Sequence, residues 1–180
     1  MSKSLKIIQT VSKVAKIISK VVFICCIVGA SGCALGLITL SLGIQNLTLF
    51  GDKLSVVIYE ESGLTVNAMI LACVSGLILC VAECVVSAFA EKYFSNELRA
   101  GTPFTYEGSK EILRLGILTM AIPLGADILC GIANGFFSIF SENTPAFETS
   151  TDSSLIIGGM FLLASVIFKY GAELREPKND

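Results

Sequence analysis

The chain has 180 residues, of which 53% are apolar and only 16% charged, with a mean hydropathy of +0.77 and a formal net charge of −2. That length suffices for one compact domain, but the apolar excess excludes an ordinary soluble one, and no basic patch is large enough to argue for nucleic acid. The sequence has no histidine, which removes Ser-His-Asp and Cys-His catalysis, the HExxH zinc motif and imidazole relays together. It has no GxGxxG and no P-loop, so neither a nucleotide-driven pump nor a conventional hydrolase is expected, and no cofactor.

In chain order, the arm over residues 1–20 reads SKSLKIIQTVSKVAKIISK after its first Met. Ile7, Val11, Val14 and Ile18 share one helical face, and Lys6, Lys13, Lys16 and Lys20 crowd another. Such a basic amphipathic helix suits the surface of an anionic inner leaflet. The other reading makes it an extension of the first span, held by a neighbour. Apolar segments follow at about residues 21–44, 66–90, 112–140 and 153–172, against the roughly 20 helical residues needed to cross a hydrocarbon core. The fourth is short, and crosses with Tyr170 at the interface and Lys169 snorkelling. Ala30-Ser31-Gly32-Cys33 resembles a lipoprotein processing box, but its leading Ala and the apolar run CALGLITLSLG that follows favour an uncleaved span. The expected fold is all-α: a single integral membrane domain over 1–180, a four-helix bundle with an N-terminal basic amphipathic helix.

Charge sets the expected orientation. Lys3, Lys6, Lys13, Lys16 and Lys20 lie in the arm, Lys92, Arg99, Lys110 and Arg114 around the central connection at 91–111, and Lys169, Arg175 and Lys178 at the C-terminal end. The connections 45–65 and 141–154 hold only Lys53, set against Asp52, Glu60, Glu61, Glu142, Glu148 and Asp152. The positive-inside rule then places both termini and the 91–111 elbow of this multi-pass chain in the cytoplasm.

Small residues line up at helical spacing: Cys25, Gly29, Gly32, Gly36, Thr39 and Gly43 on the first span; Cys73, Gly76, Cys80, Cys84 and Ser87 on the second; Gly116, Pro123, Asp127, Gly131, Asn134 and Ser138 on the third. Such stripes let helix backbones approach where no hydrophobic drive operates, so they are expected to form the seams, with large aliphatic side chains facing lipid. All seven cysteines fall in spans. Cys73, Cys80 and Cys84 share a face, which suits packing better than a metal, because thiolates in lipid need compensating charge.

Two acidic residues lie within the spans. Asp127 is near the middle of the third, and an ionisable group there normally faces a partner or a cavity. Pro123, one turn earlier, frees the carbonyl of Thr119. Asp127, Asn134 and that carbonyl therefore outline a candidate polar site able to bind a cation or exchange a proton. The competing reading is a protonated Asp127 that bonds a neighbouring helix. Glu83, nearer the end of the second span, is within reach of Arg114 or Lys20 for a structural pair.

The elbow reads FSNELRAGTPFTYEGSKEILRLG. The second helix is predicted to run to about Ala100 and stop at a left-handed Gly101, with Pro103 barring continuation. Thr105 is placed to cap the next helix, with Glu107 and Glu111 near its positive end. Phe104, a large apolar residue in a turn, either packs back onto the helices or receives a partner. The Gly-x-Pro-Phe-Thr turn (Gly101, Pro103, Phe104, Thr105) and the helix start Lys110, Leu113, Arg114, Leu115, Gly116 resemble the family of small bacterial membrane proteins catalogued as domain of unknown function 2975. The family commonly carries an asparagine near the place of Gly108. The resemblance implies a four-span protein of the bacterial cytoplasmic membrane, sometimes associated with a small helix-turn-helix regulator, and supplies no active site.

Two functions follow as expectations. One is a non-enzymatic membrane protein acting by interaction or regulation at its cytoplasmic face, through the arm and the elbow (Gly101, Pro103, Phe104, Thr105, Arg114), in a stress or bacteriocin-protection type of role. Its partners would be the lipid bilayer, a protein at the cytoplasmic face and, as an option, further copies of itself. The alternative is a small proton- or cation-linked transporter using Asp127.

Overall fold

The computed structural model describes residues 3–42, 48–49, 52–53, 66–140 and 152–175. The connections that carry Glu60, Glu61, Glu142 and Glu148, the Ile44 end of the first span and Lys178 lie outside the described residues. Four helices account for almost all of the rest: α1 (Lys3–Ser41), α2 (Val66–Ala100), α3 (Tyr106–Phe140) and α4 (Asp152–Arg175). A two-residue antiparallel ladder, β1 (Thr48–Leu49) with β2 (Asp52–Lys53), pairs Thr48 with Lys53 and Leu49 with Asp52. All four helices are long and apolar enough to cross a membrane, so the chain is an all-α, multi-pass membrane protein.

Helix lengths carry the first structural consequence. At about 1.5 Å per residue the 39 residues of α1 extend about 58 Å, well beyond a hydrocarbon core of roughly 30 Å. The arm is no separate helix. No glycine or proline interrupts Lys3–Ser41 before Gly29, so nothing breaks the hydrogen-bond ladder where arm becomes span. The 35-residue α2 likewise outruns its apolar part, which ends near Ala90.

By contacts the chain forms two compact units. The elbow unit comprises Met1–Cys26, Ala82–Gly125 and Ser150–Asp180. Its core is Tyr93, Ile112 and Leu115, packed by Phe89, Ala90, Phe94, Phe161, Ala164 and Phe168. Within it α3 and α4 come so close that a Cβ on Gly116 would stand 3.1 Å from the carbonyl oxygen of Gly158. The buried Ser109 hydroxyl donates across the same contact to Ser165 O at 3.0 Å.

The notch unit comprises Ile27–Val81 and Ala126–Thr149. Here cysteine sulfurs fill the spaces that glycines leave: a Cβ on Gly29 would meet Cys80 Sγ at 3.0 Å, one on Gly36 would meet Cys73 Sγ at 3.0 Å, and one on Gly76 would meet Cys33 Sγ at 2.9 Å. Each step along α1 is matched by an equal step back along α2, which fixes an antiparallel register. Thiols are small, apolar and polarisable enough to fill such notches.

The expected stripes are corrected in detail. On α1 the seam runs Gly29, Cys33, Gly36, while Gly32 and Cys25 are exposed. On α3 the buried line is Ile112, Leu115, Gly116, Thr119, Ala126 and Cys130, so of the expected stripe Gly116 is buried while Gly131 and Ser138 face outward. Buried faces of α3 are chosen by which side chains fill the gap, not by smallness alone, and the open glycines have no neighbour that needs their space. Ile128, Ile132, Ile156 and Leu163 stand exposed in the lipid-facing manner expected.

Candidate functional site

The elbow forms as its sequence dictates. Helix α2 ends at Ala100, and Gly101 takes φ +73°, a left-handed conformation open to glycine without penalty. Its N–H still bonds Glu97 O at 3.0 Å. Pro103 is fully buried. Thr105 is the N-cap of α3: its hydroxyl accepts the Gly108 N–H at 3.0 Å. A side chain at position 108 would collide with this cap, since a Cβ there meets Thr105 Oγ1 at 2.9 Å and Pro103 O at 3.0 Å. An asparagine in that place would require a differently shaped turn.

Phe104 turns back onto α4. Its ring meets Phe168 edge to face with centroids 5.5 Å apart, and it fills the space beside Gly171, where a Cβ would lie 2.5 Å from the ring. Phe104 therefore packs within the elbow unit and is half-buried there.

The arm is tied to the elbow by Lys16 of the basic face together with Gln9 and Ser12, which the charge pattern leaves aside. Gln9 Nε2 donates to Gly101 O at 3.3 Å, Ser12 Oγ lies 2.9 Å from Glu97 Oε1, and Lys16 Nζ donates to Ser95 Oγ at 3.1 Å. Asn96 Nδ2 adds a bond from α2 to Glu111 Oε1 on α3 at 2.8 Å. Gln9, Ser12 and Lys16 recur at helical spacing, and that was the available signal; it was masked by the louder lysine and aliphatic stripes beside it.

Glu97 is the electrostatic centre of this clamp. It lies beyond the apolar part of α2, yet burial holds its carboxyl above the ordinary range, against the lowering effect of Ser12 and Tyr93. The Ser12 hydroxyl is also 3.0 Å from Ile8 O, and its single proton can serve only one of the two acceptors. A proton on Glu97 would let the carboxyl donate to Ser12 while Ser12 donates to Ile8, satisfying both. The buried Tyr93 hydroxyl lies beside the same carboxyl.

Clamping by Gln9, Ser12 and Lys16 leaves the apolar stripe of the arm uncovered. Ile7 is 64% exposed, Val11 61%, Val14 50% and Ile18 56%.

Of the intramembrane candidates, Glu83, Thr119 and Pro123 belong to the elbow unit and Asp127 and Asn134 to the notch unit. Thr119 is buried and its hydroxyl donates back to Leu115 O at 2.8 Å. Pro123 lies inside α3. Asp127 and Asn134 are half-buried, and among the described residues no hydrogen bond or ion pair joins either to another group. Glu83 is exposed and has no ion pair with Arg114 or Lys20. Arg114 instead lies over the Phe89 ring, 5.4 Å from its centroid. Cys73 and Cys80 fill glycine notches and Cys84 Sγ donates to Phe23 O at 3.8 Å; among the described residues no cluster of ligating side chains is arranged for a metal. No family model, curated protein or solved structure matches the chain.

Proposed function

We propose that this protein acts by interaction, as a membrane anchor that presents a rigid basic arm to a protein partner. The observation that carries the reading is the exposed stripe Ile7, Val11, Val14 and Ile18 on a helix too long to be covered by one bilayer. A helix with that stripe on one face and lysines on another fits the apolar face of an amphipathic partner helix. The clamp to Glu97, Ser95 and Gly101 supports the reading, because a pre-ordered surface loses less entropy on binding. The positive-inside distribution supports a cytoplasmic location for this end, and the missing catalytic groups support a non-enzymatic role.

The test is a double variant, Val11→Glu with Val14→Glu, compared with Lys13→Gln in cells whose membranes contain the native protein. Loss of partner association and of any protective phenotype in the double variant, with membrane insertion and thermal stability kept, is the expected result. Unchanged association and phenotype would refute the proposal.

A transporter is the second reading. It is favoured by Asp127, a carboxyl within a span that makes no hydrogen bond or ion pair among the described residues. Asp127→Asn should then abolish proton-coupled flux in proteoliposomes without loss of assembly, and retained flux would remove it.

A further inference from the structure

On the elbow unit, between α2 and α3, is a small cavity of about 70 Å³ lined by Phe89, Lys92, Tyr93, Glu111, Arg114 and Leu115. Each helix contributes residues at positions i, i+3 and i+4, so one face of each lines the space. The volume corresponds to about two waters at roughly 30 Å³ each, far below the roughly 300 Å³ at which organic ligand pockets begin. A phosphate-sized group fits such a space; a metabolite does not.

The charges at this cavity are unbalanced. Lys92 and Arg114 are both exposed, and neither has an ion pair among the described residues. The acidic neighbour, Glu111, spends its Oε1 on Asn96 at 2.8 Å rather than on either cation. The Arg114 guanidinium carbon lies 5.4 Å from the centroid of the Phe89 ring, a contact that leaves its N–H donors unspent. Tyr93 also lines the cavity, its hydroxyl lying beside the Glu97 carboxyl.

Depth identifies the kind of ligand. Lys92 falls just beyond the apolar part of α2, which ends near Ala90, and Arg114 just within the start of that of α3, which begins near Ile112. Two turns deeper on α2 Val85 is exposed, as is Ile117 one turn deeper on α3. An anion bound at this level would have apolar surface directly below it for hydrocarbon.

We infer that Lys92 and Arg114 form a binding site for a phosphate group, of the kind carried by an anionic phospholipid headgroup whose chains lie along Val85 and Ile117. The site is separate from the arm's docking face and stands whether or not that face has a partner.

The experiment is native mass spectrometry of the full chain in a non-ionic detergent, titrated with phosphatidylglycerol, phosphatidylcholine and inorganic phosphate in turn. Two cations at about 1 kcal/mol each near a membrane surface predict a preference for phosphatidylglycerol over phosphatidylcholine of about 30-fold. In Lys92→Gln/Arg114→Gln that preference should fall to near parity, while Lys110→Gln, an exposed cation outside the cavity, should keep it. Glu111→Gln retains an acceptor for Asn96 but removes the negative charge, and should tighten phosphatidylglycerol binding; it tests the site even if the double variant fails to fold. Inorganic phosphate that binds the wild type and is lost in the double variant would support the phosphate site while assigning it to a soluble anion. Equal retention of phosphatidylglycerol by the wild type and the double variant, or weaker binding in Glu111→Gln, would overturn the inference.

Discussion

Helices α1 and α2 adhere to each other in two different ways. In the notch unit they meet through sulfur against glycine, with Cys80, Cys73 and Cys33 filling the spaces beside Gly29, Gly36 and Gly76. In the elbow unit the same pair is joined by side-chain hydrogen bonds from Gln9, Ser12 and Lys16 to Gly101, Glu97 and Ser95. Lipid tails are as apolar as leucine, so helices within them gain by close packing. Beyond the tails water competes for every polar group, and a contact between helices there gains from charged or hydrogen-bonding partners held in place. The change of chemistry along α1 and α2 thus records where the apolar solvent is expected to end.

Substitutions can break one mode of adhesion and leave the other. The largest effect is expected from Gly76→Val, because a Cβ alone already stands 2.9 Å from Cys33 Sγ; overpacking of this kind costs about 1–3 kcal/mol. A lowered thermal midpoint in detergent checks it, with partial recovery in Gly76→Val/Cys33→Ala as the sign that the notch is responsible. Ser12→Ala removes the donor that faces Glu97 and should cost about 1–2 kcal/mol, with the loss read as faster hydrogen exchange in the arm. Gly101→Ala forces an L side chain into the left-handed region, and Thr105→Ala deletes the α3 cap; each should lower stability by about 1 kcal/mol.

The smallest expected effect concerns pH. Burial raises the Glu97 carboxyl above its ordinary value of 4.5, so the neutral form is the one that folding favours. Its contribution is complete below the unfolded value and is lost as pH rises through the folded one. The thermal midpoint should therefore decline as pH rises from about 4 toward neutrality, and Glu97→Gln should flatten that slope. A midpoint that rises over the same interval, or an unchanged slope in the variant, would show that Glu97 is not proton-linked to the clamp. Gly76→Val should keep the wild-type slope.

Much of the architecture was legible in advance. Helix α2 stops at Ala100, Gly101 is left-handed and Thr105 caps α3, because each step rests on local backbone chemistry that a sequence states openly. The seams were legible only in outline. Periodicity showed that small residues recur, but whether Gly32 or Cys33 faces α2 depends on rotation about the helix axis, which partner side chains decide. The clamp was hidden for a different reason. Gln9, Ser12 and Lys16 acquire their meaning from Gly101, Glu97 and Ser95, far away in sequence, and nothing local announces those partners. For Asp127 the sequence leaves open a bond to a neighbouring helix, and among the described residues the carboxyl makes no hydrogen bond or ion pair.

The central claim is that the arm stands clamped, with its aliphatic stripe turned toward a protein. Site-specific photocrosslinking in native membranes tests it most directly, with a benzophenone amino acid placed at Ile7, Val11, Val14 or Ile18 in turn and at Lys13 as the comparison. The account predicts one discrete protein adduct from the four stripe positions, weak or absent at Lys13 and lost when Val11→Glu/Val14→Glu is combined with the Ile7 or Ile18 label. Adducts only to lipid from the stripe, or equal protein labelling from Lys13, would contradict it.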